Sequence, residues 1–445
     1  MRIGVRDRRV RALLGRLLRA GLAAADPRQA VRRIVARTKT GIRVAGRRYN
    51  LRGAGKIVAV GAGKASAAMA VALERQLGAR LTGGLVAVKR GYAAPTRLIR
   101  IVTAGHPVPD RAGQRAAARV LGLAKGLTRD DLLLVLLSGG ASSLLPRPAP
   151  GLTLADKQRT SERLLRCGAS INEMNAVRKH LSAIKGGQLA AATRARVATL
   201  ILSDVIGDDL GTIGSGPTAP DRTTYADALA VLRRRRIWTK LPARARRHLL
   251  AGAKGMREET PKPGSPVFAR VQNLILGRNC TAVQAVAREA RRAGFHSYIH
   301  PAALLGEAAG AARRFSLLAK NVLRLGLPVR PPACLIAGGE PTVTVRGRGR
   351  GGRAQEFALA AAMEISGLPN VWIAGFGTDG TDGSTGAAGA VVDGGTVARA
   401  RRRGLDPLRF LRRNDSCAFF EKAGGHIVSG PTGTNVNDLY LMIVL

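Results

Sequence analysis

Apolar and polar positions fall into blocks along this chain. Short apolar runs close on glycine-rich polar turns, and stretches with helical spacing separate them. Seven segments share the pattern: 56–66 (KIVAVGAGKAS), 132–143 (LLLVLLSGGASS), 200–209 (LILSDVIGDD), 333–356 (ACLIAGGEPTVTV, then RGRGRGGRAQE), 371–383 (VWIAGFGTDGTDG), the Asn414-Asp415-Ser416 turn, and 430–438 (GPTGTNVND). Wholly apolar runs bounded by glycine read as buried strands of an open sheet. Glycine lets backbone N–H groups approach a ligand with no side chain in the way, and open α/β sheets collect ligands at the carboxyl ends of their strands. The set suggests a phosphate-handling site.

The first half reads as alternating strand and helix. Leucines at helical spacing over 11–36, broken at Asp26-Pro27, predict two opening helices rather than an Arg-rich transit peptide. Strands are expected near 57–60, 84–88, 100–103 and 132–137, with helices over 65–77 and 112–125 and a GHPVPD turn at 105–110. Thr153 is a helix start signal, 171–192 reads as a short loop and a helix pair, and a strand and turn follow over 200–221. The Pro-, Gly- and charge-rich segment 255–266 is the best linker, which divides the chain into domains 1–265 and 266–445. Beyond it come a strand at 273–276, a helix at 281–294, a strand at 297–300 and a helix at 306–325; the last third, after a second linker-like stretch PVRPPA, is mixed α/β with at least three strands.

Composition narrows the class. With 445 residues, 46% of them apolar, the chain has enough material for two or three domains with full cores. Only 3% are aromatic against 55 glycines, which argues for an α/β enzyme and against a base-stacking module. The formal charge of +45 (73 Lys plus Arg, 28 Asp plus Glu) attracts anions of any size. A nucleic-acid surface gathers its basic residues on one face, whereas here arginine is spread over segments such as 243–248 and 399–404, as a compositional bias would spread it. The four cysteines lie far apart without CxxC, the usage of a reducing cytoplasm, and no apolar run approaches the ~20 residues of a membrane helix.

The turns carry the candidate chemistry. Gly61-Ala62-Gly63-Lys64 ends a strand and opens a helix, so Lys64 sits at a positive helix terminus. It is neither a Walker A loop, since Ala65 follows the lysine, nor a dinucleotide fingerprint, since Ser66 replaces the third glycine. Ser138-Gly139-Gly140-Ala141-Ser142-Ser143 offers amides and hydroxyls to a phosphate or carboxylate, or is an ordinary serine turn; no GxSxG elbow marks a nucleophile. Asp204, Asp208 and Asp209 crowd one turn, and Asp379 and Asp382 another; either set suits Mg²⁺ or a base, although Asp–Gly pairs also simply make turns. The basic loop at 346–359 reads as an RNA contact of RGG type or as a phosphate grip with Arg353 at a helix start.

Together these motifs resemble the glycerate 2-kinase family, whose C-terminal half is the MOFRL domain. The resemblance runs through AAADP, VGAGKAS, GHPVPD, LSGGASSLL, NAVRKHLSAIKGGQLA, LSDVIGDDLGTIGSGPTAPD, GGEPTVTVRGRGRGGRAQEFAL, GTDGTDGSTGAAGAVVD, NDS and GPTGTNVNDLYLMIV. It implies an N-terminal Rossmann-like open sheet, a C-terminal mixed-sheet MOFRL domain, an active site in the cleft between them, and ATP with Mg²⁺ phosphorylating D-glycerate at its 2-hydroxyl. Lys64 and Arg353 match the family's active-site lysine and arginine. With them are expected Asp382 in catalysis, Asp379 and Asp382 on the metal, and Gly61, Gly63, Ser138, Gly139, Gly140, Ser142, Asp204 and Asn435 around substrate and phosphate. Ala354, Ser384 and Gly386 depart from the family, which has asparagine, proline and aspartate there. The implied protein is cytoplasmic, handles a nucleotide and a small hydroxy acid, engages neither membrane nor specific nucleic acid, and is compatible with a homo-oligomer. The rival readings are an NAD(P)H-dependent hydroxypyruvate reductase and a basic nucleic-acid-binding protein.

Overall fold

The computed structural model describes residues 1–51 and 55–445. The chain forms two compact units, one of Pro27–Leu276 and one of Met1–Asp26 with Gly277–Leu445.

The first unit is built on a six-stranded sheet in the order Val271–Gly277, Arg196–Leu202, Leu132–Leu137, Ile57–Ala62, Gly83–Lys89, Ile99–Ala104. From Arg196–Leu202 onward, every neighbouring pair is parallel. All six residues of Leu132–Leu137 are buried, which explains a run without alternation. Its leucines divide between two cores. Leu132, Leu134 and Leu136 pack with helix Ser66–Leu77, while Leu133, Val135 and Leu137 pack with helix Arg111–Lys125. The chain moves one way from Ile57–Ala62 to Gly83–Lys89, then returns to place Leu132–Leu137 on the other side. Between Ile57–Ala62 and Leu132–Leu137 the strand order therefore reverses, the position at which open α/β sheets leave a crevice.

Local signals account for several helix starts. Asp110 Oδ1 accepts the Gly113 N–H at 2.8 Å, and Thr153 with Asp156 forms a capping box. A second capping box, Ser170 with Glu173, starts helix Ile171–His180 where a loop was expected, and the second helix of that segment is only Gln188–Ala191. A three-stranded antiparallel sheet, Val35–Thr38, Gly41–Val44 and Arg47–Asn50, was not anticipated. Its buried Ile42, Val44 and Tyr49 are interleaved with arginines, and its hairpin turns on Ala45 at φ 44° and Gly46 at φ 84°. Alanine at positive φ gives no turn signal in a sequence.

The second unit carries a seven-stranded mixed sheet in the order Arg2–Ile3, His426–Val428, Gly389–Asp393, Val371–Gly377, Asp438–Val444, Ala333–Gly339, His296–Ile299. Asp438–Val444 lies centrally, antiparallel to both neighbours and buried throughout. Tyr440, Met442 and Val444 join Phe315 and Phe357 of helices Ala308–Leu325 and Arg353–Glu364 in one core. Leu439 points the other way, toward helix Arg8–Ala24, where a Cβ on Gly21 would stand 2.9 Å from it. Helix Arg8–Ala24 packs on Asn279–Arg292, and Arg16 pairs with Glu289 at 2.8 Å.

The division of the chain thus differs from the boundary at 265/266. Segment 255–266 is fastened within the first unit: Asp221 N–H bonds to the Pro261 carbonyl and Thr260 Oγ1 donates to Asp221 Oδ2, both at 2.9 Å. The strand after it completes the first sheet, so the boundary falls at its end, while the first 26 residues join the second unit because their apolar helix face is buried there. No helix among the described residues is long and apolar enough to cross a membrane.

Candidate active site

The two turns at the switch point of the parallel sheet are locked together. Lys64 N–H donates to the Gly139 carbonyl at 2.9 Å, Ala65 N–H donates to Ser138 Oγ at 2.9 Å, and Ser66 Oγ lies 3.0 Å from Ser138 Oγ. Gly63 adopts φ 139°, and a Cβ there would stand 2.1 Å from Ser138 Oγ. The result is a rigid platform that presents the Lys64 side chain at the start of helix Ser66–Leu77. At Gly140, φ 89°, a Cβ would meet the His106 imidazole at 2.8 Å, which brings the GHPVPD turn to the same place.

This geometry changes the duties of several expected residues. The Ser138 hydroxyl is fully buried and engaged by the Ala65 amide, so it latches two turns rather than binding an anion. Gly61 is glycine because a Cβ would stand 2.0 Å from the Leu136 carbonyl of the adjacent strand. Gly63 and Gly139 make the latch, and Gly140 seats His106. Ser142 remains half-exposed, bonded to Ser215 Oγ at 2.9 Å and to Lys185. Asp204 follows strand Arg196–Leu202, while Asp209 Oδ2 accepts the Thr212 hydroxyl at 2.6 Å and Asp208 lies in the same turn at φ 55°.

In the second unit, the ends of strands Ala333–Gly339 and Val371–Gly377 and the start of Asp438–Val444 gather a polar cluster. Arg353 opens helix Arg353–Glu364 as expected. Its Nε and Nη2 fork onto Asp438 at 2.6 and 3.1 Å, and Nη1 donates to Glu340 at 2.7 Å. Burial works to lower its pKa, but Asp438 and Glu340 hold the guanidinium above its usual value, so it stays charged. Two of its five N–H donors keep no partner among the described residues, on a side chain 32% exposed. Tyr440 OH donates to Asp438 Oδ2 at 2.9 Å, and burial with the Asp438 charge raises its pKa.

Asp382, expected in catalysis and on the metal, is engaged by a helix start. It is buried, with Oδ1 accepting the Ala354 N–H at 3.0 Å and Oδ2 accepting from Gln355 N at 2.8 Å and Gln355 Nε2 at 3.0 Å. It is the capping carboxylate of the Arg353 helix, placed where the helix dipole favours an anion. Burial pushes its pKa up to about 6, aided by the Asp438 charge and opposed by the Gln355 and Ala354 amides. Glycine makes the approach feasible, since a Cβ on Gly352 would stand 2.2 Å from Asp382 Oδ1. Asp379 accepts from Thr381 N and Oγ1 at 3.0 and 3.1 Å, and Asn435 is buried nearby on the chain that leads into the last strand. At Gly386 a Cβ would meet nothing within 4 Å, so the departure there leaves open space; Ala354 is fully buried.

Among the described residues no three His, Cys, Asp or Glu side chains gather as a metal cage. Mg²⁺ in phosphoryl transfer needs no such cage, being held by one or two carboxylates, waters and the nucleotide's own phosphates. With Asp382 engaged by the helix, Asp379 is the carboxylate of that turn whose chemistry suits it.

Motif reading missed Asn175, Arg178, Lys179, Lys185, Ser215 and Asp221. They lie in segments whose spelling was noted but whose side chains had no evident chemistry. Lys179 Nζ and Asp221 Oδ1 form a buried pair at 3.1 Å, and Asp221 accepts further from Thr223 and Thr260. Burial would raise the Asp221 pKa, yet Lys179 and Thr223 hold it below the usual range.

A family model described as "Domain of unknown function (DUF4147)" matches residues 13–250, and the MOFRL family model matches 333–438. The chain is 39% identical over 430 residues to a glycerate 2-kinase of Pyrococcus horikoshii, covering 96% of each. It is 41% identical over 441 residues to a putative hydroxypyruvate reductase of Agrobacterium vitis, covering 98% of this chain and 95% of that one. A crystal structure of glycerate kinase from Thermotoga maritima matches with TM-score 0.84 at 37% identity, covering 99% of this chain and 100% of that one. Two family domains in the expected order, near-full-length relatives and a shared fold agree: the chain belongs to the glycerate 2-kinase family.

Proposed function

We propose that this protein is a glycerate 2-kinase that transfers the γ-phosphoryl group of ATP to the 2-hydroxyl of D-glycerate. The observation that carries the reading is the latched turn pair, which holds Lys64 at a helix start over the sheet's switch point. The C2 hydroxyl oxygen attacks phosphorus in line, its O–P bond forms as the bridging bond to ADP breaks, and the hydroxyl proton passes to a carboxylate. Asp379 is the acceptor or metal-holding carboxylate in this reading, because Asp382 is occupied by the helix amides. Asp379 would help to hold Mg²⁺, which would supply charge neutralisation to the phosphates. In this reading Lys64 supplies preorganised positive charge to the transferring group, and Arg353 keeps two N–H donors for an anion. Asp382 and Asp438 orient Arg353 from its two sides.

Purified protein with ATP, Mg²⁺ and D-glycerate should form ADP and 2-phosphoglycerate. Product that is solely 3-phosphoglycerate, or oxidation of NADH with hydroxypyruvate in place of ADP formation, would overturn the assignment.

A further inference from the structure

Three basic side chains gather in the first unit with no carboxylate partner among the described residues: Lys157, Arg178 and Lys185. Lys157 and Lys185 are 8% and 3% exposed. Lys157 Nζ donates to the Leu181 carbonyl at 2.9 Å, and Lys185 Nζ reaches the Ser142 carbonyl at 2.7 Å and both the Ser142 and Ser215 hydroxyls. Asp221, which approaches the chain at Gly186, is already held by Lys179, Thr223 and Thr260. Like charges buried without a counter-ion are costly. Accordingly burial and the neighbouring charges push Lys157 down to about 7 and Lys185 well below its ordinary value.

The rest of the cluster is also rich in donors. Ser215, at φ 62°, donates to Asn175 Oδ1 at 2.9 Å, which leaves Asn175 Nδ2 as a buried donor without a partner. Ser142 ties the cluster to the turn at the switch point, and half-buried Arg178 gives it a solvent-facing side. A site of guanidinium, ammonium, amide N–H and hydroxyl groups with its acids taken elsewhere is complementary to an oxyanion.

We infer that Ser142, Asn175, Arg178, Lys185 and Ser215 form an oxyanion subsite that takes a carboxylate or a phosphoryl group. The subsite stands on its own geometry, and only the identity of its anion rests on the kinase reading: the carboxylate of glycerate or a phosphate of the nucleotide.

The test is calorimetric titration of the full-length protein with D-glycerate and, separately, with inorganic phosphate, comparing wild type with Arg178→Gln and Asn175→Leu. Each variant should bind at least one anion about tenfold or more weakly, in keeping with loss of a charge-assisted bond. Weakening confined to D-glycerate assigns the carboxylate, and weakening confined to phosphate assigns the phosphoryl group. Should Asn175→Leu melt early, Arg178→Gln, at a half-buried position, still decides the matter. Affinities within twofold of wild type for both anions, or a wild type that binds neither, overturn the subsite. A wild type that binds an anion but forms no ADP ends the kinase reading and leaves the subsite standing. Turnover with unchanged KM values in Arg178→Gln does the reverse.

Discussion

At the scale of the residue, the same side-chain type takes different duties according to what surrounds it. Lys64 stands on a platform whose backbone is fixed by Gly139 and Ser138. Removing its ammonium should leave that platform intact, because the bonds run through main-chain atoms. Lys64→Ala is therefore expected to lower kcat/KM by about 10²–10³ with little change in melting temperature, the size seen when one preorganised donor is lost. Wild-type turnover in that variant would remove Lys64 from the chemistry. Asp382 predicts a pH effect of defined sign. Its folded pKa, about 6, lies above the value of about 3.9 for an unperturbed aspartate. Its contribution to stability is then fully present below about pH 4 and is lost as pH rises through about 6. Denaturant melts of wild type and Asp382→Asn should differ in pH slope between those limits and run parallel above them. Parallel curves throughout would show that burial does not perturb this carboxylate.

At the scale of the element, glycine decides how closely turns and strands approach. Gly63 is doubly constrained, by φ 139° and by a Cβ position 2.1 Å from Ser138 Oγ. Gly63→Ala must push the two turns apart and should cost stability of about 1–3 kcal/mol along with most activity. A variant of normal stability and turnover would mean the latch is dispensable. Gly386 is the opposite case, with nothing within 4 Å of its Cβ position. Gly386→Asp, which restores the carboxylate usual in the family, should leave the unfolding free energy unchanged within about 0.5 kcal/mol, the range of ordinary surface substitutions. Marked destabilisation would show that the space is not open. The helix start at Thr153 was legible because its capping box with Asp156 lies within four consecutive residues, whereas the equally local box of Ser170 and Glu173 stands where a loop was expected. The meander over 35–50 was not legible, because Ala45 carries the turn without a turn residue's signature.

At the scale of the whole molecule, the chain's ends matter more than the linker that composition singled out. Residues 1–26 bring Val10, Leu14, Leu17 and Leu18 into the second unit. A fragment of 266–445 lacks that helix and leaves Leu439 and Val286 uncovered where Gly21 now packs. It should fold poorly on its own, whereas residues 27–276, which hold the six-stranded sheet up to the last residue of its edge strand, should melt cooperatively. Cooperative unfolding of the 266–445 fragment would restore the boundary drawn from composition.

Much of this architecture was readable from the chain alone. Apolar runs such as 132–137 and cap signals at Thr153 depend on neighbours in sequence, and a long series of turns in fixed order pointed to the family and to Lys64 and Arg353. Partnerships were decided only by the tertiary structure. Whether Ser138 binds a ligand or latches Ala65, whether Asp382 meets a metal or the amides of Ala354 and Gln355, and whether Lys157, Arg178 and Lys185 share one place each depend on atoms brought from distant segments. Periodicity records the environment a side chain requires, but its actual hydrogen-bond partners are set by how the strands and turns pack in three dimensions.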